Sequence, residues 1–211
     1  MFQKTMSKMN GLIKLSKKHI KSASMVLSRA FQNDPMLRWQ IPDVNKRLTK
    51  LHKFWRLTLN IGIKYGEVYG TSEDLEGIAV WRPPKKVNIS YWKYIRNGAI
   101  KLPLNFGVES TKRIIFSQAV KDSIRNIYMK IPFWYLEVIG VDPPYQGKGF
   151  ANMLLKPMLR RIDKEHFPIW LDTVLKRNVS FYEHFDFIIL EEIIIPNTNI
   201  VNWFMIRESE I

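Results

Sequence analysis

The sequence of 211 residues has no cysteine, which excludes a disulfide framework, a thiolate metal site and a cysteine nucleophile. Its four histidines (His19, His52, His166 and His184) are far apart and lack metal-ligand spacing, so no metal is expected. A GxSxG elbow is missing as well, and no other ordered nucleophile motif supports a hydrolase. No apolar run approaches the roughly 18 residues that a membrane span requires. The opening MFQKTMSKMNGLIKL is basic but has no uninterrupted apolar core before a cleavage site. No signal peptide is expected, and a cytoplasmic protein is the default.

Acidic residues are also few, 19 against 33 lysines and arginines, for a net charge of +14. The excess is uneven: residues 1–66 carry 14 Lys or Arg against Asp34 and Asp43 alone, whereas residues 131–211 carry 8 against 11 acids. Such a balance suits an anionic surface or a nucleic acid. With no nucleic-acid motif and no Arg-rich run, lysines on solvated helix faces account for it, and no nucleic-acid partner is expected. The length and an apolar fraction of 46% are enough to bury a full core, so one domain over 1–211 is expected.

The chain is organised around FWYLEVIGVDPPYQGKGFANMLLKPMLRRIDKE (133–165). Trp134 to Val141 has the aromatic and β-branched bias of a strand, stopped by Asp142-Pro143-Pro144. Phe150, Leu154, Met158 and Ile162 recur at i+4 steps and predict a helix, which Pro157 should bend near Met153. Between them lies the short basic loop Gln146-Gly147-Lys148-Gly149. Unpartnered N–H groups at the positive end of a helix, preceded by glycines that block nothing, form a diphosphate cradle in outline. It is neither a Rossmann fingerprint, since Asn152 stands where the third glycine is due, nor a P-loop.

Elsewhere, residues 10–15 read as a first strand and Ser16 as the cap of a helix from Lys17 to Phe31, ended by Asp34-Pro35. A second helix is predicted over Val44–Tyr65 and short strands over Glu67–Thr71 and Gly77–Trp81. Residues 88–130 read as amphipathic helices broken near Pro103 and Gly107. Pro168–Thr173 reads as a buried strand, Asn178–His184 as a short helix, and Phe187–Ile195 with Val201–Arg207 as a strand pair. A mixed α/β fold follows.

Val141 to Ala151 resembles the acetyl-CoA signature of the GNAT acetyltransferase superfamily, V-x-P-x-x-(Q/R)-x-x-G-x-(G/A), at every specified position. FYEHFDF (Phe181 to Phe187) resembles its F-Y-x-x-x-G-F, with Asp186 in place of the glycine. The segment from Ala30 to Trp39 with Pro42-Asp43, and GIAVWRPP, are similar to the puromycin N-acetyltransferase-like subset. The resemblance implies a central twisted mixed sheet flanked by helices, with a helical insertion before the central strand. It also implies acetyl-CoA as cofactor, held by Ile139, Val141, Gln146, Gly147, Lys148, Gly149, Phe150 and Ala151. The asparagine that family members carry seven residues before the tyrosine is Leu175 here, so Asn178 is the candidate for that contact. Phe31, Asp34 and Trp39 are candidates for the acceptor wall.

Acetyl transfer from a thioester to an amine poses two proton problems. Neutralising an amine of pKa about 10.4 at pH 7 costs about 4.6 kcal/mol, which calls for a base. Glu137, four residues before Val141 on the central strand, is the candidate. The leaving thiolate needs a hydrogen-bond donor, and the resemblance implies Tyr182. The expected activity is N-acetylation of a primary amine on a small molecule, by direct transfer in a ternary complex. Two alternatives stay open: a protein or peptide acceptor, and a non-catalytic module that binds CoA or nucleic acid. The sequence assigns neither an acceptor nor an oligomeric state.

Overall fold

A computed structural model describes residues 11–209. The first ten residues of the basic opening, which include the first residue of the strand expected over 10–15, lie outside the described residues. That strand, β1, is short, Ile13–Lys14. A 3-10 turn over Lys17–His19 leads into α1, Ile20–Ala30. The turn is held by the Ser16 N–H donating to His19 Nδ1 at 2.9 Å. Asp34-Pro35 does more than stop a helix. It starts α2, Pro35–Gln40, with the Asp34 carboxylate accepting the Leu37 N–H at 3.0 Å and proline in the first turn, where its missing N–H costs nothing.

Asp43 caps α3, Val44–Tyr65, by accepting from Asn45 and Lys46. Then come β2 (Glu67–Gly70), β3 (Gly77–Arg82) and a helical insertion of α4 (Tyr91–Arg96), α5 (Leu102–Phe106) and α6 (Val108–Tyr128). Gly98 and Gly107, both at positive φ, separate these helices. Pro103 lies in the first turn of α5 and so helps begin a helix rather than break one. The remaining elements are β4 (Trp134–Val141), α7 (Phe150–Glu165, with Pro157 inside it), β5 (Ile169–Thr173), α8 (Lys176–Glu183), β6 (Ile188–Ile194) and β7 (Val201–Arg207).

The strands form one sheet in the order β1-β2-β3-β4-β5-β7-β6, antiparallel throughout except where β4 runs parallel to β5. α1 and α3 bury Leu27, Leu51 and Leu59 against Ile78 and Val80 on one face. α7 buries Leu154, Met158 and Ile162 against Trp81, Trp134 and Leu171 on the other. At about 1.5 to 3 kcal/mol for each such side chain, this packing fixes which way β4 faces. Gly140 is needed on the α1 side, because a Cβ there would lie 2.6 Å from the Phe31 ring and 2.9 Å from Leu27. Among the described residues no helix is long and apolar enough to cross a membrane.

Two irregularities of β4 position the site. Its parallel pairing with β5 covers Trp134↔Ile169 and Tyr135↔Trp170 and then stops, so the strands part and leave a gap in the sheet. On its other edge the register with β3 jumps from Val80↔Val138 to Trp81↔Leu136, leaving Glu137 as the extra residue of a β-bulge. The bulge reverses the alternation of the strand. Leu136 joins the core under α7, whereas Val138, two residues on, joins the core under α1 and α3.

Candidate active site

The gap between β4 and β5 opens toward the loop that feeds α7. The loop is exposed from Pro143 to Gly149, and Gly147 and Gly149 hold φ of 76° and 84°. A Cβ built on either glycine meets nothing within 4 Å, so both stand before open space that a side chain would fill. The first helical bond of α7 runs from the Met153 N–H to the Gly149 carbonyl at 3.1 Å. The N–H groups of Phe150, Ala151 and Asn152 therefore have no acceptor inside the helix and lie at its positive end. Gln146 is engaged differently, its side-chain amide donating to the Val141 carbonyl at 3.0 Å and so bracing the loop. Lys148 Nζ lies 5.4 Å from the centre of the Tyr145 ring. The start of the loop is tied to α1 by Arg29, which donates from Nε and Nη2 to the Asp142 carboxylate at 2.8 and 2.5 Å.

Beyond the gap lies a cavity of about 810 Å³, floored by β4 residues Tyr135–Ile139 and β5 residues Asp172 and Thr173. α2 and α3, with Phe31 just after α1, wall it, and α4 to α6 line its other side. Phe31, Phe54, Trp55, Leu102 and Ile114 make one region of it apolar. Four carboxylates line it, and three of them are in ion pairs. Glu137 Oε2 accepts from Arg82 Nε at 2.6 Å, with Arg82 1% exposed; Asp122 pairs with Arg125 at 2.7 Å; and Asp172 Oδ2 lies 2.7 Å from Lys121 Nζ. The other Asp172 oxygen accepts from the Tyr135 hydroxyl at 3.1 Å.

Asp34 is the fourth, and among the described residues it has no ion pair. Loss of hydration pushes its pKa up, against the Leu37 N–H and the more distant charge of Lys121. For Lys121 burial works to lower the pKa, but Asp172 and Asp34 outweigh it and the net shift is upward. Tyr182 also lines the cavity. Desolvation first, and Asp172 second, hold its phenol well above the ordinary value, and its hydroxyl bonds to no described residue.

With this geometry in view, a family model described as the Acetyltransferase (GNAT) family matches residues 122–187, the stretch that contains β4, the loop, α7, β5 and Tyr182. Over that stretch the chain is similar to the GNAT acetyltransferases. An uncharacterised N-acetyltransferase of Schizosaccharomyces pombe is 27% identical over 201 residues, 92% of this chain and 81% of that one. The fold is shared with a histone-acetyltransferase-related protein of Corynebacterium glutamicum (TM-score 0.71, 19% identity, 95% and 96% of the two chains). It is shared also with arylalkylamine N-acetyltransferase 2 of Aedes aegypti (TM-score 0.59, 13% identity, 94% and 98%). GNAT enzymes are acyltransferases that use acetyl-CoA as co-substrate.

Set beside the sequence reading, the GNAT fold brings Ile139, Asn178, Tyr182, Glu137, Phe31 and Asp34 to one cavity, and places the 146–151 loop at the end of the same strand. Asn178 donates to Thr173 Oγ1 at 3.1 Å, which ties α8 to β5. Asp186 stands at φ 63°, so the left-handed turn of the family glycine is kept by a residue that tolerates it. Trp39 is a correction. It turns out of the cavity and packs on α6, 6.5 Å from the Phe116 ring and 5.4 Å from the Arg113 guanidinium. Glu137 lines the cavity with one of its oxygens committed to buried Arg82 by the ion pair.

Arg82, Lys121, Tyr135 and Asp172, together with the Arg29–Asp142 brace, were missed from the sequence. A carboxylate inside the apolar run PIWLDT, and an arginine closing GIAVWR, were the available signals.

Proposed function

We propose that the chain transfers the acetyl group of acetyl-CoA directly to the primary amine of a small, monocationic molecule with an apolar body, and that Asp34 receives the ammonium. The observation that carries this reading is the covered cavity of about 810 Å³, in which three of the four lining carboxylates are neutralised and Asp34 is left over. A carboxylate of raised pKa in a place of low dielectric attracts an ammonium strongly and takes its proton more readily than an ordinary aspartate. Phe31 and Phe54 offer the apolar surface for the rest of the acceptor.

For the cofactor, the open space before Gly147 and Gly149 and the unpartnered amides of Phe150, Ala151 and Asn152 fit a diphosphate. The edge of β4 facing the gap, from Leu136 to Val141, has no strand beside it and offers main-chain groups to an extended amide-bearing arm. When bound, the thioester supplies the activated acetyl group. Tyr182, kept as the neutral phenol, is the donor for the charge that develops on the departing sulfur.

A roofed cavity suits a small molecule better than a peptide, which needs an open groove. The test is a panel of alkyl and aryl amines, polyamines and short peptides, read by release of CoA thiol, alongside calorimetry with acetyl-CoA. Turnover is expected with monoamines that carry an apolar group. Saturable acetyl-CoA binding with turnover confined to peptides would replace this reading by the peptide one.

A further inference from the structure

We infer that Lys121 limits the acceptor to one positive charge, by filling with its own ammonium the cation position beside Asp172. This rests on reading the cavity as the acceptor site. Lys121 descends from the roof helix α6 into the cavity, where its Nζ lies 2.7 Å from Asp172 Oδ2, with side chains 22% and 6% exposed. The Tyr135 hydroxyl donates to the other Asp172 oxygen, so the carboxylate is oriented from both sides.

A lysine side chain is a primary alkylammonium, chemically one end of an aliphatic diamine. The Asp172–Lys121 pair is thus an alkylammonium already bound in the cavity and tethered to its roof. A monoamine needs Asp34 alone. A diamine needs a second carboxylate, yet Glu137 and Asp122 are held by arginines and Asp172 by Lys121. To enter, its second ammonium would have to displace Lys121 and strand that charge in a place of low dielectric, which is strongly unfavourable. Cutting the side chain back to alanine vacates three methylenes and an ammonium, and leaves Asp172 ready to take the far end of a diamine.

The experiment compares pentylamine with cadaverine, the diamine of the same length, by kcat/KM with acetyl-CoA in the wild type, K121A and K121A/D172N. The wild type is expected to prefer pentylamine by about tenfold or more, and K121A to shift the ratio toward cadaverine by about tenfold, or about 1.4 kcal/mol. K121A/D172N, lacking the second carboxylate, is expected to lose that gain. Thermal melts and acetyl-CoA calorimetry show that each variant is folded. Should K121A fail to fold, K121M replaces it with the same expected shift. A folded, active variant with an unchanged ratio overturns the assignment of Lys121, as does a wild type that uses both amines equally well. A wild type that binds acetyl-CoA but acetylates no amine in the panel overturns instead the reading of the cavity, and this inference with it.

Discussion

Asparagine at position 34 keeps the cap on α2, because its amide oxygen can still accept the Leu37 N–H, while removing the charge proposed to hold the acceptor. D34N is therefore expected to lower kcat/KM for a cationic amine by about 10- to 100-fold, the range for losing a charged hydrogen-bond partner. Its effect on stability has the opposite sign. Asp34 has a folded pKa above its unfolded one, so the folded chain binds more protons between the two values and stability falls as pH rises through that window. D34N escapes this loss. Melting midpoints at about pH 4 and about pH 8 should show the variant gaining on the wild type at the higher pH. D34A, which also loses the cap, should be about 1 kcal/mol less stable than D34N.

Tyr182 separates in a similar way. Its hydroxyl bonds to no described residue, so Y182F removes no protein hydrogen bond and should leave the fold and the calorimetric affinity for acetyl-CoA nearly unchanged. Turnover should drop by about tenfold or more if the phenol steadies the leaving sulfur. Since burial and Asp172 raise its pKa, the phenol stays protonated past its ordinary value near 10. An alkaline loss of activity below that pH should accordingly persist, with its midpoint unmoved, in Y182F.

At the scale of elements, the start of α7 depends on Gly149, whose φ of 84° a side chain adopts at a cost of roughly 1 to 2 kcal/mol. A methyl there clashes with nothing in the protein but projects into the space assigned to the diphosphate. G149A should thus lose acetyl-CoA affinity by calorimetry in excess of its fall in denaturant midpoint. If the two losses match, the loop serves the fold alone.

Elements with long regular patterns were legible in the sequence. α3, β4 and β7 have the expected limits, since their apolar periods run over 22, 8 and 7 residues. α2 was not, because six residues give too short a period and its signal, Asp-Pro, also reads as a stop. The loop was legible because its groups are neighbours in the chain. The ion pairs of the cavity were not: Arg82 and Glu137 are 55 residues apart, and the bulge that aims Glu137 leaves no mark in the letters. Trp39 was misplaced for a related reason. In a helix of 3.6 residues per turn, Met36, Leu37 and Gln40 take the cavity face and turn Trp39 away from it.

For the molecule as a whole, the net charge of +14 and the composition of the cavity act on the two substrates with opposite signs. Acetyl-CoA carries its diphosphate and a further phosphate, and would approach a chain of strongly positive net charge whose loop presents Lys148 and free amides. A cationic amine would be repelled by the same field until it reaches the cavity, where Asp34 is proposed to attract it at short range. Salt screens the long-range field over a Debye length of about 10 Å at 0.1 M and weakens a desolvated pair much less. Raising ionic strength from about 0.05 to about 0.5 M should therefore raise KM for acetyl-CoA several-fold, while KM for the amine stays level or falls. Stopped-flow association of a fluorescent CoA analogue should slow over the same range. Parallel salt dependences for both substrates would mean that the basic surface lies away from the path by which the cofactor enters.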